Sequence, residues 1–350
     1  MPIEFTSLDA IFNHGFDTVI DVRSPAEFAE DHIPGAINLP ALSNAQRHEV
    51  GTIYKQISAF DGRKIGAGMV IRNVADHIDG PLMEKDGAWR PLVYCWRGGQ
   101  RSGVFSTLLS EIGWRADTIK GGYTSFRHLV KTSLYDDPLV HRFVLLDGYT
   151  GTAKTEILPR LAARGVQVID LEGLAAHRGS LLGGMPGGQP SQKAFETSLA
   201  LALRELDPSR PVVVEAESSK VGQIAIPASV WAAMLAAPRV MIQAPEAARA
   251  AYLAKAYREV IEDPKVVAEK LEPLRRLRGH ATVDRWVSLS QEGALVDLSH
   301  ALMVDHYDPS YAKSRRVDER EILAEVFAET LDEAGQERAA DGIAAAVNAF

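Results

Sequence analysis

Cysteine is nearly absent from this chain: Cys95 is the single one among 350 residues. No internal disulfide can form, which excludes disulfide-stapled secreted scaffolds and fits a reducing compartment. No uninterrupted apolar run approaches about 20 residues, which argues against a membrane-spanning helix. The opening Met1-Pro-Ile-Glu-Phe lacks a basic stretch followed by an apolar one, so no secretory signal is expected and a cytoplasmic location is. Positive charge is not in excess either. With 38 Lys and Arg against 46 Asp and Glu, the net charge of −8 speaks against a uniformly basic nucleic-acid surface. Any contact with RNA must come from cations concentrated locally.

What is present is ordinary for a soluble globular chain, 46% hydrophobic and 24% charged, and long enough for two domains with separate cores. Strands are expected at 18–22, 91–95 and 116–119, alternating with a short helix that starts at Ser24-Pro25, amphipathic stretches near 44–59 and 61–79, and helices at 101–112 and 123–134. That alternation predicts a mostly parallel sheet covered on both faces. Asp136-Asp137-Pro138 is polar and turn-prone, so the domains are expected to be 1–137 and 138–350. The alternation then restarts, with strands at 143–146, 166–169, 211–215 and 240–242 and helices at 154–163, 192–206 and 228–236. A Gly-rich loop spans 179–190, and everything after Pro245 reads as largely helical.

Two segments carry chemistry. The first is Tyr94-Cys-Trp-Arg-Gly-Gly-Gln-Arg-Ser102, at the end of an apolar strand. Five residues separate Cys95 from Arg101, a spacing that lets the loop curl around an anion with its N–H groups inward and Arg101 closing the ring at a helix start. Gly98 and Gly99 allow the positive φ such a curl needs. In that field the thiol pKa should fall, so Cys95, Arg97 and Arg101 are the candidate catalytic group, with the sulfur open to solvent. A buried, inert cysteine is the bland alternative, and Arg97, Gly98, Gly99, Arg101 and Ser102 together disfavour it.

The second is Gly148-Tyr-Thr-Gly-Thr-Ala-Lys-Thr155, which has the layout of a Walker A loop: apolar strand, Gly-rich turn, Lys-Thr, helix. Gly148, Thr150, Gly151 and Thr152 would cradle phosphates, Lys154 would neutralise them, and Thr155 is suited to a Mg²⁺ ion. Ala153 stands where glycine is usual, so its backbone is expected to avoid left-handed geometry. Glu215 and Glu217 end an apolar strand. They read equally well as acidic partners of a metal or as partners of arginines such as Arg178. Arg178 and His177 precede the Gly-rich loop, where Arg178 is a candidate phosphate contact. Lys270, Arg275, Arg276, Arg278, His280 and Arg285 form the densest cationic group, with Lys313, Arg315 and Arg316 a smaller one; a solvated helix face is the bland reading of either.

Asp21-Val-Arg23, Glu27-Phe28, His32-Ile-Pro-Gly-Ala-Ile-Asn-Leu-Pro40 and the Cys95 loop resemble the signature segments of a rhodanese domain across roughly the first 135 residues. That implies a rhodanese-like fold in which Cys95 carries sulfur or selenium; the same loop spacing also serves cysteine phosphatases. Further segments are similar to the tRNA 2-selenouridine synthase family: Asp170 to Ser180, Gln189 to Glu196, Val214 to Gly222 and His306-Tyr-Asp-Pro-Ser-Tyr311. With the first set, the likeness runs over nearly the whole chain. It implies an α/β protein of two parts, an N-terminal rhodanese-like parallel sheet with flanking helices and a C-terminal P-loop-type α/β domain with a helical extension.

The resemblance also implies a chemistry. The wobble 2-thiouridine of a tRNA would be S-geranylated from geranyl diphosphate, and selenium from selenophosphate would then replace the geranylthio group. The implied partners are tRNA, both phosphate donors and an enzyme that supplies selenophosphate, with no membrane and no firmly bound cofactor. On this likeness Arg275, Arg276 and Arg278 are expected to touch tRNA, and the greasy channel for the prenyl tail is expected after Pro245. The alternatives are a simple sulfurtransferase fused to a nucleotide-binding, kinase-like module, and a non-catalytic rhodanese-like adaptor.

Overall fold

The computed structural model of the protein describes residues 2–180, 182–315 and 320–350, the side chains of 313–315 excepted. It forms two compact units, residues 1–137 with 190–197, and residues 138–189 with 198–350.

The first unit is built on four parallel strands: β1 (Thr18–Asp21), β2 (Ile37–Asn38), β3 (Pro91–Tyr94) and β4 (Asp117–Thr118), in the order β2-β1-β3-β4. Every residue of β3 is buried, as a central strand covered on both faces requires. Ile20, Val22, Val93, Phe105 and Leu109 anchor the core. The helix Pro25–Glu30 starts where the chain dictates, with Pro at its first turn and a capping box between Ser24 and Glu27. Segment 190–197 belongs to this unit through Glu196, paired to Arg127, and Thr197, whose hydroxyl donates to Asp31 at 3.1 Å.

A helical hairpin lies between β2 and β3. Asn44–Thr52, capped by Ser43 and Gln46, runs into a π-helical turn, Ile53–Ile57, and Ser58 caps the return helix Ala59–Asp79. Two glycines let the arms close. A Cβ on Gly62 would lie 2.8 Å from Tyr54 Cα, and one on Gly66 3.1 Å from Val50 Cγ1.

The second unit carries a five-stranded parallel sheet: β5 (Phe143–Gly148), β6 (Gln167–Ile169), β7 (Val212–Glu215), β10 (Arg239–Gln243) and β11 (Ile322–Phe327), ordered β11-β10-β5-β7-β6. A short antiparallel pair, β8 (Lys220–Val221) and β9 (Ile224–Ala225), follows β7. The C-terminal region expected as helical therefore contains a strand. Ile322–Phe327 pairs along β10 and completes the sheet edge. One core lies between the sheet and the helices Lys154–Ala163 and Glu333–Ala349, another around Trp286 among the helices that follow β10, and a small cluster of Ala250, Leu253 and Met303 accompanies them. Among the described residues no helix is long and apolar enough to cross a membrane.

Candidate functional site

In the first unit, the strand-to-helix turn after β3 positions Cys95. Gly98 sits at φ +62°, and a Cβ there would lie 2.6 Å from Ile119 O. Gly122 (φ +58°) comes closer still: a Cβ on it would fall 2.2 Å from Cys95 O. The loop is pinned by Tyr123 N–H to Cys95 O at 2.9 Å and Thr124 N–H to Trp96 O at 3.0 Å. The sulfur accepts from the Gly99 N–H at 3.3 Å and from the Ser102 hydroxyl at 3.2 Å. Burial alone would push this thiol up. The Ser102 and Gly99 hydrogen bonds, with the Arg101 charge, outweigh it and leave the pKa below the ordinary thiol value.

Two expectations are corrected here. Cys95 is 3% exposed rather than open, because it belongs to the buried core that Ile20, Val93 and Phe105 anchor. Nor do guanidinium groups ring the sulfur. Arg97 is exposed to solvent, and Arg101 donates to Glu27 Oε2 at 2.8 Å. Glu27 does double duty, capping its own helix and holding Arg101. Burial would raise its pKa, but the Arg101 hydrogen bond and charge bring it down to about 2. The Ser102 donor and the Glu27 clamp are roles the sequence reading missed, although both residues stand in the quoted segments. Beneath them Arg23 is fully buried, bonded to Asp21 and to the Asp31 carbonyl, and stacked 3.8 Å from the Tyr123 ring centroid.

In the second unit, β5 delivers the Gly148–Thr155 turn to the start of the helix Lys154–Ala163. Gly151 adopts φ +85° with its Cα against Leu253, and the Thr152 hydroxyl closes the turn on Tyr149 O at 2.9 Å. Ala153 corrects another expectation: it is left-handed, at φ +59°, ψ +31°. The loop keeps the shape a glycine would favour and bears the strain, about 1 kcal/mol for a residue with a Cβ. Lys154 Nζ reaches back to Gly148 O at 3.1 Å.

A cavity of about 270 Å³ opens over this turn, lined by Thr150, Gly151, Lys154, Thr155, Arg178 and Glu217 with Glu172 and several tyrosines. Thr155 donates to Glu172 Oε2 at 2.8 Å. The Glu172 and Glu217 carboxyls hydrogen-bond each other, and burial raises both pKa values. Glu215 faces elsewhere, its Oε2 accepting the Leu171 N–H at 3.0 Å. Arg178 donates to Ala256 O at 2.9 Å, so the alternative in which it pairs with Glu215 or Glu217 is not what forms. Glu172 escaped notice in the sequence because it meets Thr155 only through the fold. A narrow apolar recess shares the cavity wall, with Leu182, Leu253, Tyr257, Ile261, Leu302 and Tyr307 around it.

The cationic group is partly spent on neighbours. Arg275 pairs with Glu272 at 2.8 Å and Asp284 at 2.6 Å, and Arg278 donates to His306 and Ser310, which leaves Arg276 exposed. Arg316 lies outside the described residues, as do the side chains of Lys313 and Arg315.

The fold and these two loops define a rhodanese-like unit joined to a phosphate-loop unit. Residues 4–129 match the family of rhodanese-like domains, and residues 141–283 match the tRNA 2-selenouridine synthase AAA domain. A tRNA 2-selenouridine synthase of Chromohalobacter salexigens is 34% identical over 330 residues, covering 84% of this chain and 86% of its own. One of Verminephrobacter eiseniae is 31% identical over 335 residues, covering 85% and 89%. For the relative from Nitrosomonas europaea, 37% identical, the shares are 60% and 56%. The chain belongs to the tRNA 2-selenouridine synthase family.

Proposed function

We propose that this protein modifies tRNA by converting a wobble 2-thiouridine to 2-selenouridine, through S-geranylation from geranyl diphosphate and replacement of the geranylthio group by selenium from selenophosphate. The coarse reading, tRNA modification, rests on the relatives, each named a tRNA 2-selenouridine synthase. The observation that carries the two-donor reading is one chain with two differently built loops, a thiol accepting hydrogen bonds from Gly99 and Ser102 in a Gly-rich turn and a phosphate loop beside an apolar recess. A thiocarbonyl sulfur leaves poorly. Alkylation makes the ring carbon electrophilic and lets the sulfur depart as a thiolate.

In this reading Gly148, Thr150, Gly151, Thr152, Lys154 and Thr155 hold the prenyl diphosphate, with Arg178 beside them, and stabilise the charge that grows as the allylic C–O bond breaks. The recess takes part of the hydrocarbon. Thr155, Glu172 and Glu217 offer hard oxygen donors that fit Mg²⁺, which when bound supplies further charge neutralisation at the diphosphate. Gly98, Gly99 and Ser102 shape the turn from which Cys95 receives or positions selenium, with Arg101 as the cation whose charge reaches the sulfur and Arg97 on the solvent side of the same loop. Arg276, with Arg275 and Arg278, supplies one cationic patch for tRNA. An enzyme that makes selenophosphate is the partner this chemistry requires.

The test is nucleoside mass analysis of 2-thiouridine tRNA incubated with the protein and each donor in turn. Geranyl diphosphate alone should yield S-geranyl-2-thiouridine, and added selenophosphate should yield 2-selenouridine. Unchanged 2-thiouridine with both donors present would refute the proposal.

A further inference from the structure

The helical hairpin of the first unit holds a cationic groove that neither loop uses. Arg47, Gly51 and Lys55 follow each other at four-residue intervals, as do His48, Thr52 and Gln56, so both rows lie on one helical face. With Ser24, Ala26 and Asn44 they line a cleft of about 500 Å³ without one acidic side chain in its wall. Gly51 keeps the floor open, since a Cβ there would stand 3.2 Å from Arg47 Nη1. Glu27 lies 3.9 Å from Arg47, but its carboxylate is held by Arg101 at 2.8 Å. Arg47 and Lys55 are therefore exposed cations beside a concave floor, unlike Arg275, which two carboxylates already engage.

Charge and shape agree along the hairpin. Residues 44–79 carry five Lys and Arg against four acids, and two of those acids, Asp76 and Asp79, stand in the last turn of the return helix, in a chain whose net charge is −8. Toward the tip, Tyr54, Ile57 (75% exposed) and Phe60 (66% exposed) stand in solvent, with Lys64 Nζ 5.6 Å from the Phe60 ring centroid. At Gly62 the seam between the arms is filled by the Tyr54 backbone, and the Tyr54 ring stands outside it. Exposed aromatic faces interleaved with cations suit an RNA segment whose phosphates are neutralised while unpaired bases stack.

We propose that this groove is a docking site for the tRNA phosphate backbone, with the hairpin tip receiving unpaired bases; the inference rests on the tRNA-modifying reading above. It places an RNA contact in the unit that holds Cys95.

Fluorescence anisotropy with a labelled, unmodified tRNA transcript tests it on the full chain. Arg47→Ala/Lys55→Ala should weaken binding about tenfold near physiological salt and reduce the slope of log K against log salt by about 1.5, as expected when two phosphate contacts are lost. Lys55→Glu should weaken binding further, and circular dichroism should show both variants folded. Wild-type binding with the variants' affinity and salt slope unchanged would overturn the docking site alone. Failure of the wild type to bind tRNA would overturn the tRNA-modifying reading and this site with it.

Discussion

At the scale of single residues, both loops depend on hydrogen bonds that ordinary substitutions can remove. The Ser102 hydroxyl donates to Cys95 Sγ, so Ser102→Ala should move the thiol pKa upward; the pH dependence of alkylation measures this, and an unmoved midpoint would contradict the assignment. Ala153 carries a left-handed backbone that glycine adopts freely. Ala153→Gly should therefore leave the loop's shape intact and stabilise the chain by up to about 1 kcal/mol, read by denaturant unfolding. Glu27 supplies the pH-dependent contribution. Its folded-state pKa of about 2 lies below the ordinary glutamate value, so the stability it adds is full above pH 4.5 and is lost as pH falls toward 2. The melting-temperature gap between wild type and Glu27→Gln should be widest near neutrality and close in strong acid.

Elements show which features the chain reveals locally and which need the fold. The strand-turn-helix around Cys95 and the Gly148–Thr155 turn were legible because their residues are contiguous, and the strand-helix alternation of both units followed from apolar periodicity. β11 was not, because its partner β10 lies about 80 residues earlier and the alanine-rich surroundings read as helix. Burial of the thiol was equally hidden, since the core residues it is grouped with, Ile20 and Phe105 among them, come from other elements. Glu172 gains its place only when its short helix packs beside Thr155. The hairpin itself rests on two glycines. Gly62→Val would drive a side chain into the Tyr54 backbone and should cost roughly 2 kcal/mol, seen as an earlier unfolding transition.

For the whole molecule, the proposed division of labour lies between two loops, each built inside its own unit. The thiol loop tunes a sulfur with neutral donors and a clamped arginine, while the phosphate loop sets a lysine, a hydroxyl and two carboxyls around a cavity with an apolar annex. Lys154→Ala should lower geranyl transfer about 100-fold or more while leaving the thiol's alkylation profile as it was. The most direct test of the division is the Cys95→Ala variant, supplied with 2-thiouridine tRNA, geranyl diphosphate and selenophosphate, and read by nucleoside mass analysis. The account predicts that S-geranyl-2-thiouridine accumulates and 2-selenouridine does not form. Wild-type levels of 2-selenouridine from that variant would contradict it.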